Sequence, residues 1–263
     1  MTTDTTASSS NASDAATLRL YWQPGCSSCV KLKEFLTASG VDFISVNILE
    51  KKGSMDELLR RGIRSVPVLL QGDRMTYGQS LNDVAAFVGK KRGTERLPPR
   101  VLFEKWLQFL TSARELITSV PEDKLEYRPI PERPRTTREL AYHIFQIPES
   151  VLESVENGLK DTRDISNAKY DHIQTGEQLR AYADGILKRM KDWQASVDEA
   201  WFASTVETYY GEQPAMQVLE RGTWHSGQHT RQLDLVVSNL TGGSSVVPPD
   251  TYTGLPMPVG IWE

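Results

Sequence analysis

Two groups of side chains in this sequence have the types and spacing for chemistry. The first is Cys26 and Cys29, the only cysteines of the 263-residue chain, set in Tyr21-Trp22-Gln23-Pro24-Gly25-Cys26-Ser27-Ser28-Cys29. The second is three of the four histidines, His143, His225 and His229. Two thiols one helical turn apart can exchange with a disulfide, one attacking sulfur and the other resolving the mixed disulfide. Two imidazoles at i and i+4 on a helix can share a metal ion, and a third from a facing helix completes a three-nitrogen set with an open coordination position.

The elements around the cysteines suit that role. The apolar run Leu18 to Trp22 predicts a strand, and Val30-Lys31-Leu32-Lys33-Glu34-Phe35-Leu36 an amphipathic helix, so the dithiol sits where a strand hands over to a helix. Free amide N–H groups and the positive end of the helix dipole there favour a thiolate at Cys26, lowering its pKa below the roughly 8.5 of an ordinary thiol. A zinc or iron–sulfur half-site is the competing reading, but two thiolates leave coordination unfilled. Strands are further predicted over Val41 to Val46, Ile63 to Leu70 and Met75 to Tyr77, with helices from Ser54 to Arg61 and from Leu81 to Val88.

This βαβαββα order, with a dithiol after the first strand and Val66-Pro67 before the third, resembles glutaredoxins and related thioredoxin-like electron donors. The resemblance implies a cis peptide at Pro67, backbone at Val66 that pairs with an extended thiol substrate, and Gly78-Gln79-Ser80 where glutaredoxins hold the carboxylate of glutathione or another thiol. Cys-Ser-Ser-Cys replaces the common Cys-Pro-Tyr-Cys, and Gly78-Gln79-Ser80 departs from the usual Gly-rich or acidic pattern, so the preferred thiol stays open.

Composition narrows the class. A net charge of −4 argues against nucleic acid or an anionic membrane as the main partner. No apolar stretch approaches the roughly 20 residues of a membrane span. Residues 1–16, rich in Ser, Thr, Ala and Asp, read as a disordered tail without the basic start and apolar centre of a signal peptide. The lone dithiol points to a reducing cytoplasm. The organisation expected is a redox domain over 17–92, a linker over 93–99 marked by Gly93 and Pro98-Pro99, a helical domain over 100–240 and an extended tail over 241–263.

The helical part should hold four long helices: Val101 to Val120; a second capped by Thr136 and Glu139 and running to Asn157-Gly158, with Pro148 inside it; Thr175 to Val197; and one from Pro214 to Leu240. Ala200 to Gly211 reads as irregular. On the second helix His143 shares a face with Leu140, Ile144, Ile147 and Val151. On the fourth, Val218, Gly222, His225, His229, Leu233 and Val236 mark one stripe. A single histidine on such a face is more often a satisfied core residue, but a buried polar group without a partner costs about 1–3 kcal/mol, so three together need a reason that metal ligation supplies. Arg138-Glu139-Leu140-Ala141-Tyr142-His143 and His225-Ser226-Gly227-Gln228-His229 resemble the DinB-like superfamily of metal-binding four-helix bundles. Its members include S-transferases using bacillithiol or mycothiol and a thiol-dependent maleylpyruvate isomerase, commonly with zinc. His172 matches no ligand position.

The fold expected is therefore an α/β thioredoxin-like domain followed by an all-α four-helix bundle. The leading functional expectation is a metal-dependent enzyme that adds a small thiol to, or uses it to rearrange, an electrophilic substrate, with the dithiol reducing mixed disulfides. A divalent metal, zinc in particular, and a low-molecular-weight thiol are its expected cofactors. The alternative is a thiol-disulfide oxidoreductase whose helical half is a binding or homodimerisation platform. A third reading is a sensor in which cysteine oxidation alters metal occupancy.

Overall fold

The computed structural model describes residues 17–92, 96–162, 165 and 171–262. The expected disordered tail, linker residues 93–95 and Tyr170 lie outside the described residues. The chain divides into two compact units, Met1–Gly93 with Trp262–Glu263, and Thr94–Ile261.

In the first unit the elements run β1 (Arg19–Trp22), α1 (Ser27–Ala38), β2 (Ile44–Asn47), α2 (Ser54–Arg60), β3 (Val68–Gln71), β4 (Arg74–Tyr77) and α3 (Leu81–Phe87). The sheet order is β2-β1-β3-β4, with β1 parallel to β2 and antiparallel to β3, which in turn is antiparallel to β4. Both faces are covered, and the alternation of side chains along each strand sorts the core into two halves. Leu20 and Leu69 pack with Leu32, Leu36 and Val84 on one face, while Tyr21, Val68 and Leu70 pack with Val46, Leu58 and Ile63 on the other. The third strand is shorter than the predicted Ile63 to Leu70. Proline has no N–H to give a ladder, so pairing begins only after Pro67.

The second unit contains α4 (Pro99–Ser119), α5 (Thr137–Asn157), α6 (Gly176–Ser196) and α7 (Ala215–Thr241). Each helix packs on two neighbours in the ring α4, α7, α5, α6, which is a four-helix bundle. Local chemistry sets the ends. Thr136 with Glu139 and Thr175 with Gln178 form complete capping boxes at the starts of α5 and α6, and Gly158 and Gly242 end α5 and α7 in the left-handed conformation. Pro214 is the cap of α7, one position before the first turn predicted for it.

The segment read as irregular, 200–211, is a correction. A 3₁₀ turn over Glu199–Ala203 leads into a hairpin of β5 (Thr205–Thr208) and β6 (Gly211–Pro214). Its two-residue loop, Tyr209-Tyr210, contains none of the Asn, Asp or Gly that usually signals such a turn. In the tail beyond α7, Val247 and Thr251 are buried, and the Tyr252 ring lies 5.1 Å from that of Phe109.

A small polar chain joins three of the helices. Pro148 has no N–H, so the carbonyl of Ile144 one turn earlier lacks its intrahelical donor. The Ser226 hydroxyl of α7 donates to that carbonyl at 3.4 Å and accepts from the Trp106 indole of α4 at 2.9 Å. Gly222 makes room for the same indole, since a Cβ there would collide with the Trp106 ring.

Candidate functional sites

In the first unit Cys26 caps α1. Its sulfur accepts the Cys29 N–H at 3.2 Å, and its carbonyl accepts the N–H groups of Cys29 and Val30. The Cys29 N–H is the helix-start amide that reaches the sulfur, and a donor there stabilises a thiolate. Cys29 is fully buried, Cys26 half-buried, and the two are joined as a disulfide. The outer thiol is therefore the one a substrate can reach. The Val66-Pro67 peptide is cis, the Pro67 carbonyl accepts the Gly78 N–H at 2.8 Å, and Gln79 Nε2 donates to the Val66 carbonyl at 3.4 Å. A Cβ on Gly78 would stand 2.8 Å from the Pro67 ring, so only glycine allows this approach. Ser80 caps α3 by accepting the Asp83 N–H, which leaves its O–H as a donor. Thus Val66, Pro67, Gly78 and Gln79 form one connected group.

In the second unit His143 comes from α5 and His225 and His229 from α7, and one nitrogen of each lies within 4.8 Å of the others. The ring centroids are 5.8 Å apart for His143 and His225, 5.0 Å for His143 and His229, and 4.9 Å for His225 and His229. His229 is 1% exposed and His225 9%. Burial holds all three imidazoles well below their ordinary pKa, and the positive charge of Arg135 adds to this at every ring. Arg221 acts on His143 and His225, and Arg133 on His143. The rings are thus neutral at pH 7 and keep the lone pairs that ligation needs.

Two tautomers follow from the hydrogen bonding. Gln146 Nε2 donates to the Ile165 carbonyl at 2.7 Å, and Gln232 Nε2 to the Ile261 carbonyl at 2.6 Å. A carbonyl only accepts, so each amide must present its oxygen to its histidine: Gln146 Oε1 lies 3.1 Å from His143 Nδ1, and Gln232 Oε1 lies 2.6 Å from His229 Nδ1. Both Nδ1 atoms then carry the proton, which leaves Nε2 of each ring as the basic nitrogen. His225 Nδ1 is buried with no hydrogen-bond partner. A three-imidazole donor set with two rings oriented in this way and one buried ring nitrogen unsatisfied fits a divalent ion of the zinc type. His172 is solvent-exposed and faces Tyr142 edge-on, away from the donor set.

Sequence reasoning placed the three histidines but missed their supports. Those of His143 and His229 are Gln146 and Gln232; with Gln228 after His225, a glutamine follows each histidine by three residues, a spacing readable in the sequence. Arg133 and Arg135 had no such signal, because they sit in the proline-rich approach to α5 and only the fold turns them toward the rings. Arg221 stands one turn before His225 and lies over the Tyr210 ring at 5.4 Å, so the unpredicted hairpin helps place it.

A four-stranded thioredoxin-like domain with a helix-capping dithiol, and a four-helix bundle with a largely buried three-histidine cluster, define the class: a redox module fused to a helical bundle. Residues 18–75 match the glutaredoxin family model, and residues 107–233 match that of the DinB superfamily; the chain carries a domain of each. A comparison with curated proteins returned no match. Among the described residues, no helix is long and apolar enough to cross a membrane.

Proposed function

We propose that this protein is a metal-dependent enzyme that joins a low-molecular-weight thiol to an electrophilic small molecule, or uses the thiol to rearrange it, and that its glutaredoxin domain reduces mixed disulfides of the same thiol. The observation that carries this reading is the convergence of His143, His225 and His229 from two helices, with ligand atoms within 4.8 Å. These three residues would hold the ion. When bound, a divalent ion with neutral ligands keeps its positive charge and favours thiolate over thiol at neutral pH.

The surrounding residues supply the rest. Gln146 and Gln232 keep His143 and His229 in the ligating tautomer. Arg133, Arg135 and Arg221 surround the rings with positive charge, which favours a carboxylate on the thiol or on the electrophile. Among the described residues, Glu139 is the one carboxylate whose charge reaches Arg135, and it is committed to the capping box.

In the redox domain, the Cys26 thiolate would attack a mixed disulfide, breaking its S–S bond and releasing one thiol. Cys29 would then attack Cys26 Sγ, releasing the second thiol and leaving the Cys26–Cys29 disulfide. Two molecules of low-molecular-weight thiol return the dithiol as they are oxidised to their own disulfide. Val66, Pro67 and Gly78-Gln79-Ser80 are the residues proposed to hold that thiol.

Metal analysis of the purified full chain, with thiol consumption followed against a panel of electrophiles, tests the proposal. Turnover should vanish on chelation, return with zinc, and be absent in His225→Ala. Equal turnover by the metal-free chain would remove the metal role. Disulfide reduction with no metal-dependent reaction would leave the oxidoreductase alternative.

A further inference from the structure

The run Pro258–Ile261 turns four successive backbone carbonyls toward α7. Arg231 Nη1 donates to Pro258 at 3.3 Å, and its Nη2 to Val259 at 3.0 Å and Gly260 at 2.8 Å. Gln228 Nε2 donates to Gly260 and Ile261, both at 2.9 Å, and Gln232 Nε2 to Ile261 at 2.6 Å. Residues 228, 231 and 232 are three and four apart, so one face of α7 takes the whole run. Gln228 and Gln232 are fully buried, and an amide in such a place is held by whichever of its ends finds a partner.

We propose that Pro258–Ile261 is a positioning element of the histidine site, fixing the tautomer of His229 through Gln232. The chain of cause has three steps. The Ile261 carbonyl can only accept, so it orients the Gln232 amide nitrogen-first. The amide oxygen then faces His229 Nδ1 and requires a proton there. The basic lone pair of His229 is left on Nε2. A backbone carbonyl 32 positions along the chain from the ring thereby sets which nitrogen is basic. Gln228 is held in the same sense: its Oε1 and His225 Nδ1, three residues apart, are both buried without a partner, so the tail leaves one acceptor and one ring nitrogen unmatched beside the finished pair. His143 takes the same support from Ile165 instead, and owes nothing to the tail.

The consequence for the metal rests on the reading given under Proposed function, whereas the tautomer does not. The test therefore starts on the metal-free full chain, with histidine ring nitrogens observed by 15N NMR near neutral pH. The wild-type His229 should carry its proton on Nδ1. Removal of residues 258–263, or Gln232→Leu, should turn His229 into a tautomer mixture, while His143 keeps its Nδ1 proton as an internal sign that the bundle is intact. Removal of Glu263 alone leaves the four carbonyls in place and should change nothing at His229. Gln232→Glu keeps an acceptor at Nδ1 without needing Ile261, so it should hold the tautomer even in the chain lacking 258–263. Zinc affinity, measured by competition with a chromogenic chelator, should fall about 10–100-fold in the truncated chain and in Gln232→Leu, and be restored in the truncated chain by Gln232→Glu. A wild-type His229 protonated on Nε2, or a truncation that leaves its tautomer unchanged, would overturn the proposal. The expected tautomers with no zinc binding by any variant would support it and sink the metal reading instead.

Discussion

Mild acid should destabilise the metal-free bundle through its three clustered imidazoles, at a pH where most carboxylates are still ionised. Burial and the neighbouring arginines hold His143, His225 and His229 well below their usual pKa. In the unfolded chain each returns to about 6.5. As pH falls the unfolded state takes up protons that the folded state refuses, so stability is fully present above about pH 6.5 and is lost below it. Between about pH 7.5 and about pH 5 an imidazole that stays neutral in the fold forfeits about 2 kcal/mol, and three forfeit about 6 kcal/mol. That is comparable with the whole stability of a typical domain. The assay is urea unfolding followed by far-UV circular dichroism, a signal dominated by α4 to α7. Substituting His229→Gln should remove about a third of the pH dependence, and saturating zinc should move the loss to lower pH by binding only the folded form. A midpoint that does not shift between about pH 7.5 and about pH 5, or shifts equally in the wild type and in the triple glutamine variant, would refute the argument.

Three further outcomes are expected. Cys26→Ser should abolish disulfide reduction, whereas Cys29→Ser should trap a mixed disulfide on Cys26, detectable by intact mass, because only the cysteine at the helix cap is both reachable and activated. Gly222→Ala should drive a methyl into the fully buried Trp106 ring and cost about 1–3 kcal/mol in urea unfolding, with the Trp106–Ser226 hydrogen bond strained as well. Arg135→Ala should raise the KM for a carboxylate-bearing co-substrate about tenfold or more while leaving that of its neutral amide unchanged; the guanidinium is half-buried, with its pKa lowered to about 10 by burial, and so remains charged at neutral pH. Equal KM changes for acid and amide would mean that Arg135 acts only on structure.

The parts of the molecule that could be read from the chain are those governed by local rules. The helix over Thr137–Asn157 declares itself through a capping box at one end and a glycine at the other, and the histidines of α7 through a stripe at steps of three and four. The strand–dithiol–helix junction needs only the change of hydrophobic period at Cys26. What escaped depends on contacts between distant segments. The hairpin at Thr205–Pro214 turns on two tyrosines, and it becomes a hairpin because Val206 packs with Ala215, Val218 and Val151. Arg135 and Ile261 belong to the histidine site only because the fold carries them there, from a proline-rich approach and from the tail.

Pro148 interrupts the backbone ladder of α5, and the interruption is what the neighbouring helices grip. A more regular α5, with alanine in its place, would satisfy the Ile144 carbonyl from within and leave the Ser226 hydroxyl with only the Trp106 indole behind it. Ile144 follows His143 and Ser226 follows His225, so a helix that improved its own order would loosen the registration of two of the clustered histidines. The site depends on one strut being imperfect so that the frame can be stiff.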